Sequence, residues 1–225
     1  MGILTGLMAS YLTLPAGCEL AAETEVRRSR FLAVVTRVGD EPAARAVIAG
    51  RRSTYPDARH HCSAFVLGPD PRTERSNDDG EPSGTAGAPM LQVLRSAGLS
   101  DVVAVVTRYF GGTLLGTGGL ARAYADAVQA ALDSDTRRVR REPVELFDLA
   151  VPHSDAGRVE AGLRTATLDH ADLQVLGTSY QDEAILHLAV GPASAEHLPQ
   201  VVAGLTAGAL TATPTGQNWI DLPVS

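Results

Sequence analysis

From Arg28 to Val38 the chain reads RSRFLAVVTRV, a continuous apolar and β-branched run that predicts a strand buried on both faces. EPAARAVIAGRR follows as a helix, with Pro42 in its first turn, an acid at its start and Arg51 and Arg52 at its end, which suits the helix macrodipole at both ends. HCSAFVLG, His61 to Gly68, predicts a second strand closed by a turn at Pro69 to Pro71. After Pro89, PMLQVLRSAG reads as a short helix ended by Gly98, and DVVAVVTRYF as a strand. GGTLLGTGGLARAYADAVQAALDS then begins as a glycine loop and becomes a helix, because Leu120, Tyr124, Ala127, Val128 and Ala131 recur at helical spacing. On its polar face Arg122 and Asp126 stand four apart, as do Gln129 and Asp133.

The run TRRVRREP, Thr136 to Pro143, predicts a domain boundary, since a helix does not pass easily through Pro143. Beyond it VELFDLAV reads as a strand, SDAGRVEAGLRTA as a helix, and ADLQVLGTSY with EAILHLAV as strands paired around Gln181 and Asp182. Ser194 to Leu205 reads as a helix and Ala209 to Asp221 as the last strand. The resulting order, βαββαβ, is the split βαβ arrangement of ferredoxin-like domains. The expectation is an α+β protein of two domains, 1–140 and 141–225.

Composition narrows the class. The chain has 225 residues, 44% of them hydrophobic, which is enough to bury a core. No run approaches the length of a membrane span, and the opening MGILTGLMASYLTLPAG lacks the charged and long apolar regions of a secretory signal. A cytoplasmic protein without a membrane partner is expected. Its two cysteines, Cys18 and Cys62, form no CxxC motif, which agrees with a reducing compartment. The net charge of −7 hides an asymmetry, because all 19 basic residues are arginine. Residues 27–141 hold 17 Arg against 12 acids, giving +5, whereas 142–225 hold 2 against 11, giving −9. This split fits nucleic-acid contact by the first half, and equally two solvated domains that attract one another.

Two glycine segments carry the candidate chemistry. Strand, glycine turn and helix between Val102 and Ala131 aim backbone N–H groups at one place near a helix N-terminus, a setting that favours phosphate or carboxylate. Gly111, Gly112, Gly116, Gly118 and Gly119 clear the approach, Thr117 is the expected cap, and Arg108 and Arg122 supply bidentate cations. No Gly-Lys-Ser or Gly-Lys-Thr and no G-x-G-x-x-G spacing is present, so no nucleotide cofactor is implied. The plain alternative is tight turning and close packing, with Arg122 paired to Asp126.

The other segment, SNDDGEPSGTAGAPM, sets Asp78, Asp79 and Glu81 beside Gly80, Gly84, Thr85 and Gly87. These carboxylates lack EF-hand alternation, and Asx-type turns with Ser83 or Thr85 starting the next helix are the favoured reading over a metal. His61 and Cys62, neighbours on a strand, face opposite ways and do not share a metal. An apolar core role is expected for Phe110, with base stacking by Tyr109 and Phe110 the alternative.

ARHHCSAFVLG, SNDDGEPSGTAGAPML and VVAVVTRYFGGTLLGTGGLARAYADA together resemble the IMPACT family, in its bacterial YigZ-like branch, from about Tyr11 to Leu132. The resemblance implies an N-terminal domain with the fold of the second domain of ribosomal protein S5 and a ferredoxin-like C-terminal domain. It also implies contact with RNA or the ribosome, since eukaryotic relatives regulate translation, and it brings no catalytic residues and no cofactor. The extra N-terminal RWD domain of those relatives has no counterpart before Tyr11, so restraint of a starvation kinase is not expected to carry over. Three functions are therefore open: a non-enzymatic translation-associated factor, an enzyme or binder of a small phosphorylated metabolite held between the two glycine segments, and a protein-interaction module built on the acidic domain.

Overall fold

A computed structural model of the chain describes residues 9–69, 72–167 and 172–224. Part of the turn expected at Pro69 to Pro71, and Ala171 at the start of an expected strand, lie outside these residues. The chain divides into two compact units, Ser10–Arg140 and Arg141–Leu222.

The first unit contains β1 (Tyr11–Thr13), β2 (Glu19–Val26), β3 (Ser29–Arg37), α1 (Glu41–Thr54), β4 (His60–Leu67), β5 (Thr73–Asn77), α2 (Gly87–Ser96), β6 (Val102–Tyr109) and α3 (Gly116–Asp133). Its sheet runs β2-β3-β6-β4-β5 with every neighbouring pair antiparallel. β3, β4 and β6 are apolar on both sides because helices cover both faces. Cys62, Ala64, Val66, Ala104 and Val106 meet α2 and α3, while Val34, Phe65, Val103 and Val105 meet α1. α3 buries Leu120, Ala123, Tyr124, Ala127, Val128, Ala131 and Leu132, the expected stripe at helical spacing. Each large side chain so buried contributes roughly 1.5–3 kcal/mol.

Besides the three-residue β1, two strands escape the sequence pattern. β2 carries weak strand formers, and β5 is exposed along most of its length. Both are edges of the sheet, where one neighbour suffices and solvent takes the other side. Val26 pairs with Ser29, so β2 and β3 are joined by the two-residue turn Arg27-Arg28, in which both residues have positive φ (48° and 66°). That conformation ordinarily selects Asn-Gly.

The second unit contains β7 (Val139–Val151), α4 (His153–Ala166), β8 (Leu173–Tyr180), β9 (Ala184–Val190), α5 (Pro192–Ala195), α6 (Leu198–Thr206) and β10 (Thr213–Pro223). β7 pairs with β9 and with β10, and β9 pairs with β8. Leu149, Val151, Val159, Leu163, Leu186, Leu188 and Val202 form its core against α4 and α6. Two expectations are corrected here. The strand expected to begin at Val144 begins at Val139 and so contains Pro143, which is harmless to the β9 ladder because that pairing begins at Glu145. The single helix expected over Ser194 to Leu205 is two, with α6 restarting at Leu198 and placing Pro199 in its first turn. Among the described residues no helix is long and apolar enough to cross a membrane.

Candidate functional site

β4 and β6 deliver the first two side chains. Their register sets His60 opposite Arg108 at the end of the sheet, next to both glycine segments. Strand alternation sends His60 and Cys62 towards the α2 and α3 side, while His61 and Ser63 line a groove beside α1 with Arg45, Arg52 and Arg75.

The acidic segment is ordered by its own carboxylates. Asp78 accepts the backbone N–H groups of Gly84 (2.8 Å), Ala86 (3.0 Å) and Gly87 (2.8 Å), and so caps α2 from eight residues upstream. The start of α2 has no cap from its own flanking side chain; Thr85, expected to begin that helix, instead donates its hydroxyl to the carbonyl of Pro82 at 2.6 Å. Burial pushes the Asp78 carboxyl up, but the three amides together hold it below its ordinary value of 3.8. Asp79 accepts the N–H of His61 at 2.6 Å and forms an ion pair with Arg52, and its N–H donates to Asn77 Oδ1 at 2.7 Å in an Asx turn. The carbonyl of Asp79 lies 2.9 Å from His60 Nδ1. A carbonyl only accepts, so Nδ1 carries the hydrogen and Nε2 is the free nitrogen of that ring.

Glu81 reaches inward. Its Oε1 accepts from Arg108 Nη1 at 2.6 Å and from the Tyr124 hydroxyl at 2.8 Å, and the Glu81 and Arg108 side chains are only 4% and 6% exposed. The Arg108 guanidinium also lies over the rings of Phe31 and Phe110, 5.4 and 5.6 Å from their centroids. Its Nε is buried, with no acceptor among the described residues. Cys62 donates to the carbonyl of Asp78 at 3.0 Å, and burial pushes its thiol up to about 12. Burial likewise raises Tyr124. Neither ionises near neutral pH, so Cys62 is a packed donor and not a nucleophile.

The second glycine segment is tied to the β2–β3 turn. Arg108 Nη2 and the N–H of Gly111 both reach Ser29 Oγ, at 3.3 and 3.1 Å, and Arg27 donates to the carbonyl of Leu114 at 3.3 Å. A Cβ on Gly111 would collide with the Arg28–Ser29 peptide, so the absence of a side chain there is what lets the turn seat. Gly112 and Gly116 both have positive φ, 83° and 73°. Thr117, the cap expected from sequence, does not cap α3, because it lies inside the first turn; no side chain among the described residues caps that helix, whose opening residues Gly116, Thr117 and Gly118 are exposed, with Gly119 half-buried. Arg122 is exposed and makes no ion pair with Asp126, whereas Gln129 does donate to Asp133 at 2.8 Å.

Between the two segments lies a cavity of about 390 Å³. The acidic segment contributes Glu81 and Pro82 to its lining, the second glycine segment Gly116 and Thr117, and the strand ends Arg59, His60 and Arg108. Phe110, Leu114, Leu115 and Leu120 supply an apolar side. Phe110 is 47% exposed at the rim rather than in the core, because it follows the last paired residue of β6. Asp78, Asp79, Gly80, Gly84, Thr85, Gly87, Gly111, Gly112, Gly118, Gly119 and Arg122 lie outside the lining. Sequence reasoning passed over Arg59 and the apolar rim, although Arg-His directly before an apolar strand was a readable signal for cations at a sheet end. Among the described residues no group of three or more His, Cys, Asp or Glu is arranged to hold a metal ion.

Residues 27–132 match the family model described as the Impact N-terminal domain. The chain is 37% identical to the IMPACT family member YigZ of Escherichia coli over 205 residues, which cover 90% of this chain and 97% of that protein. It is 40% identical to the IMPACT family member YvyE of Bacillus subtilis over 70% of this chain and 71% of that one. A solved structure titled as that of a hypothetical protein superposes with a TM-score of 0.63 at 34% identity, covering 93% of this chain and 98% of that one.

Proposed function

The chain belongs to the IMPACT family, and we propose that it is a non-enzymatic, cytoplasmic, translation-associated factor that contacts RNA or the ribosome through the arginine-bearing end of its first unit. The observation that carries this reading is the Arg27-Arg28 turn. Two arginines occupy left-handed conformations that cost on the order of 1–2 kcal/mol each relative to the ordinary backbone. Both side chains are exposed, and among the described residues neither has a carboxylate partner. Strain retained at an exposed, unneutralised cation pair is a mark of a working surface.

Arg59 and Arg122, also exposed and without carboxylate partners among the described residues, extend the charge around the second glycine segment. Phosphate contacts of this kind supply most of the affinity and make it salt-dependent. The domain reading, residues 1–140 with an S5 domain 2-like fold and 141–225 with a ferredoxin-like fold, belongs to the same proposal. The pairing of the unit's first strand, β7, with both its third and its last, β9 and β10, and of β9 with β8, supports the second assignment.

Filter retention of single-stranded RNA and of ribosomal subunits over 50–300 mM salt tests the reading. Saturable, salt-weakened retention is expected, with a shallower salt slope in the Arg27→Ala, Arg28→Ala double variant. Retention that is absent, or that is the same in that variant, overturns it.

A further inference from the structure

The geometry points to a second capability at the same end of the molecule: the cavity between the glycine segments is a binding site for a phosphate monoester carrying a flat, weakly polar body, the chemistry of a mononucleotide. This inference stands on the cavity itself and not on the arginine turn.

The balance of donors and acceptors around the cavity decides the charge of its occupant. Glu81 is the carboxylate in the lining, and it is already neutralised by Arg108, with its Oε1 accepting from both Arg108 and Tyr124. The remaining polar groups are in donor surplus. Arg59 and the Thr117 hydroxyl have no partner among the described residues, and the 18-residue α3 opens onto the cavity through Gly116 and Thr117 with no side-chain cap. An anion satisfies that surplus, and the helix dipole adds favourable potential where the amides are. His60, whose Nδ1 is committed to the Asp79 carbonyl, brings its free Nε2 to the same lining.

The rest of the lining sets the shape. Pro82, Phe110, Leu114, Leu115 and Leu120 form an apolar side, and Leu114 is 81% exposed, an unfavourable position for a large apolar residue unless something covers it. A bare phosphate would leave this side wet. The volume of about 390 Å³ lies within the range of small-molecule sites, about 300–1,000 Å³. Phosphate at the donors and a ring against Phe110 therefore use both halves of the cavity.

The same chemistry comes from a free nucleotide or from the terminal nucleotide of a 5′-phosphorylated RNA, so the test separates the two. Titration calorimetry and thermal shift are run on the full chain with adenosine 5′-monophosphate, adenosine, inorganic phosphate, and single-stranded RNA decamers with and without a 5′-phosphate. Adenosine 5′-monophosphate is expected to bind at least tenfold more tightly than adenosine or phosphate. Arg59→Gln and Thr117→Val, both exposed and so without consequence for folding, are expected to weaken it at least tenfold. Equal binding of the 5′-phosphorylated decamer identifies an RNA end as the source, and binding of the free nucleotide alone identifies a metabolite; either supports the site. No binding by any phosphate-bearing probe, binding of phosphate as tight as that of the nucleotide, or binding unchanged in both variants overturns it. Binding of the mononucleotide that persists in Arg27→Ala, Arg28→Ala while RNA retention is lost separates this site from the arginine turn.

Discussion

Arg108 Nη1 meets Glu81 Oε1 at 2.6 Å inside the first unit, joining the end of β6 to the acidic turn. The guanidinium that the sequence offers as a ligand for phosphate is thus spent first on holding the two glycine segments together. Its Nε is buried as well, with no acceptor among the described residues. Removing either partner leaves a buried charge uncompensated, which typically costs about 3–5 kcal/mol. Urea unfolding of Glu81→Gln and Arg108→Met is expected to show losses of that order, with the double variant losing clearly less than their sum. Additive losses would mean that the two side chains do not depend on each other.

Asp78 makes the stability of the first unit sensitive to acid. Its carboxyl is held below 3.8 by the amides of Gly84, Gly87 and Ala86 against the opposing effect of burial. A depressed folded-state value contributes stability that is present above the unfolded value and is lost as pH falls through the folded one. The urea midpoint is therefore expected to decline from about pH 4 downward. Asp78→Asn should cost roughly 1–3 kcal/mol at pH 7 and flatten that decline. An unchanged acid profile in the variant would assign the decline to other carboxylates.

The Arg27-Arg28 turn sets stability against binding. Glycine at position 28, where φ is +66°, relieves about 1 kcal/mol of backbone strain in a turn type that prefers it. Arg28→Gly is expected to raise the melting temperature by roughly 2–4 °C while weakening RNA retention. A variant that is less stable than the parent would show that the arginine side chain itself holds the turn.

Cys62 and Cys18 should separate cleanly in thiol chemistry. Cys62 is fully buried with its thiol pushed up to about 12, and Cys18 is half-buried. Titration with a disulfide reagent at pH 8 is expected to label Cys18 in the folded protein, and Cys62 only after denaturant is added. Rapid native labelling of Cys62, read by peptide mapping, would contradict the packing of α2 over β4.

Much of this protein is written locally. The apolar runs of β3, β4 and β6 and the helical spacing of Leu120, Tyr124, Ala127 and Ala131 can be read because each segment's own period declares which face is buried. The edge strands β2 and β5 could not be read so easily, since an edge needs no continuous apolar run. In β2 the alternation of Leu20, Ala22, Thr24 and Val26 towards the more buried side was the available signal, muted by small and polar residues.

The amino-acid order by itself determined that two glycine-bearing turns flank apolar strands, that the first half is rich in arginine, and that a second set of strands and helices follows. What only the tertiary structure decided is which group meets which: that Asp78 caps α2, that Glu81 takes the charge of Arg108, and that Arg59, His60 and Thr117 share one cavity. Secondary structure follows from neighbours in the chain, whereas these pairings depend on the register of β4 against β6 and on where the β2–β3 turn seats over Gly111. Each of those is set by packing between residues tens of positions apart, and no local period records it.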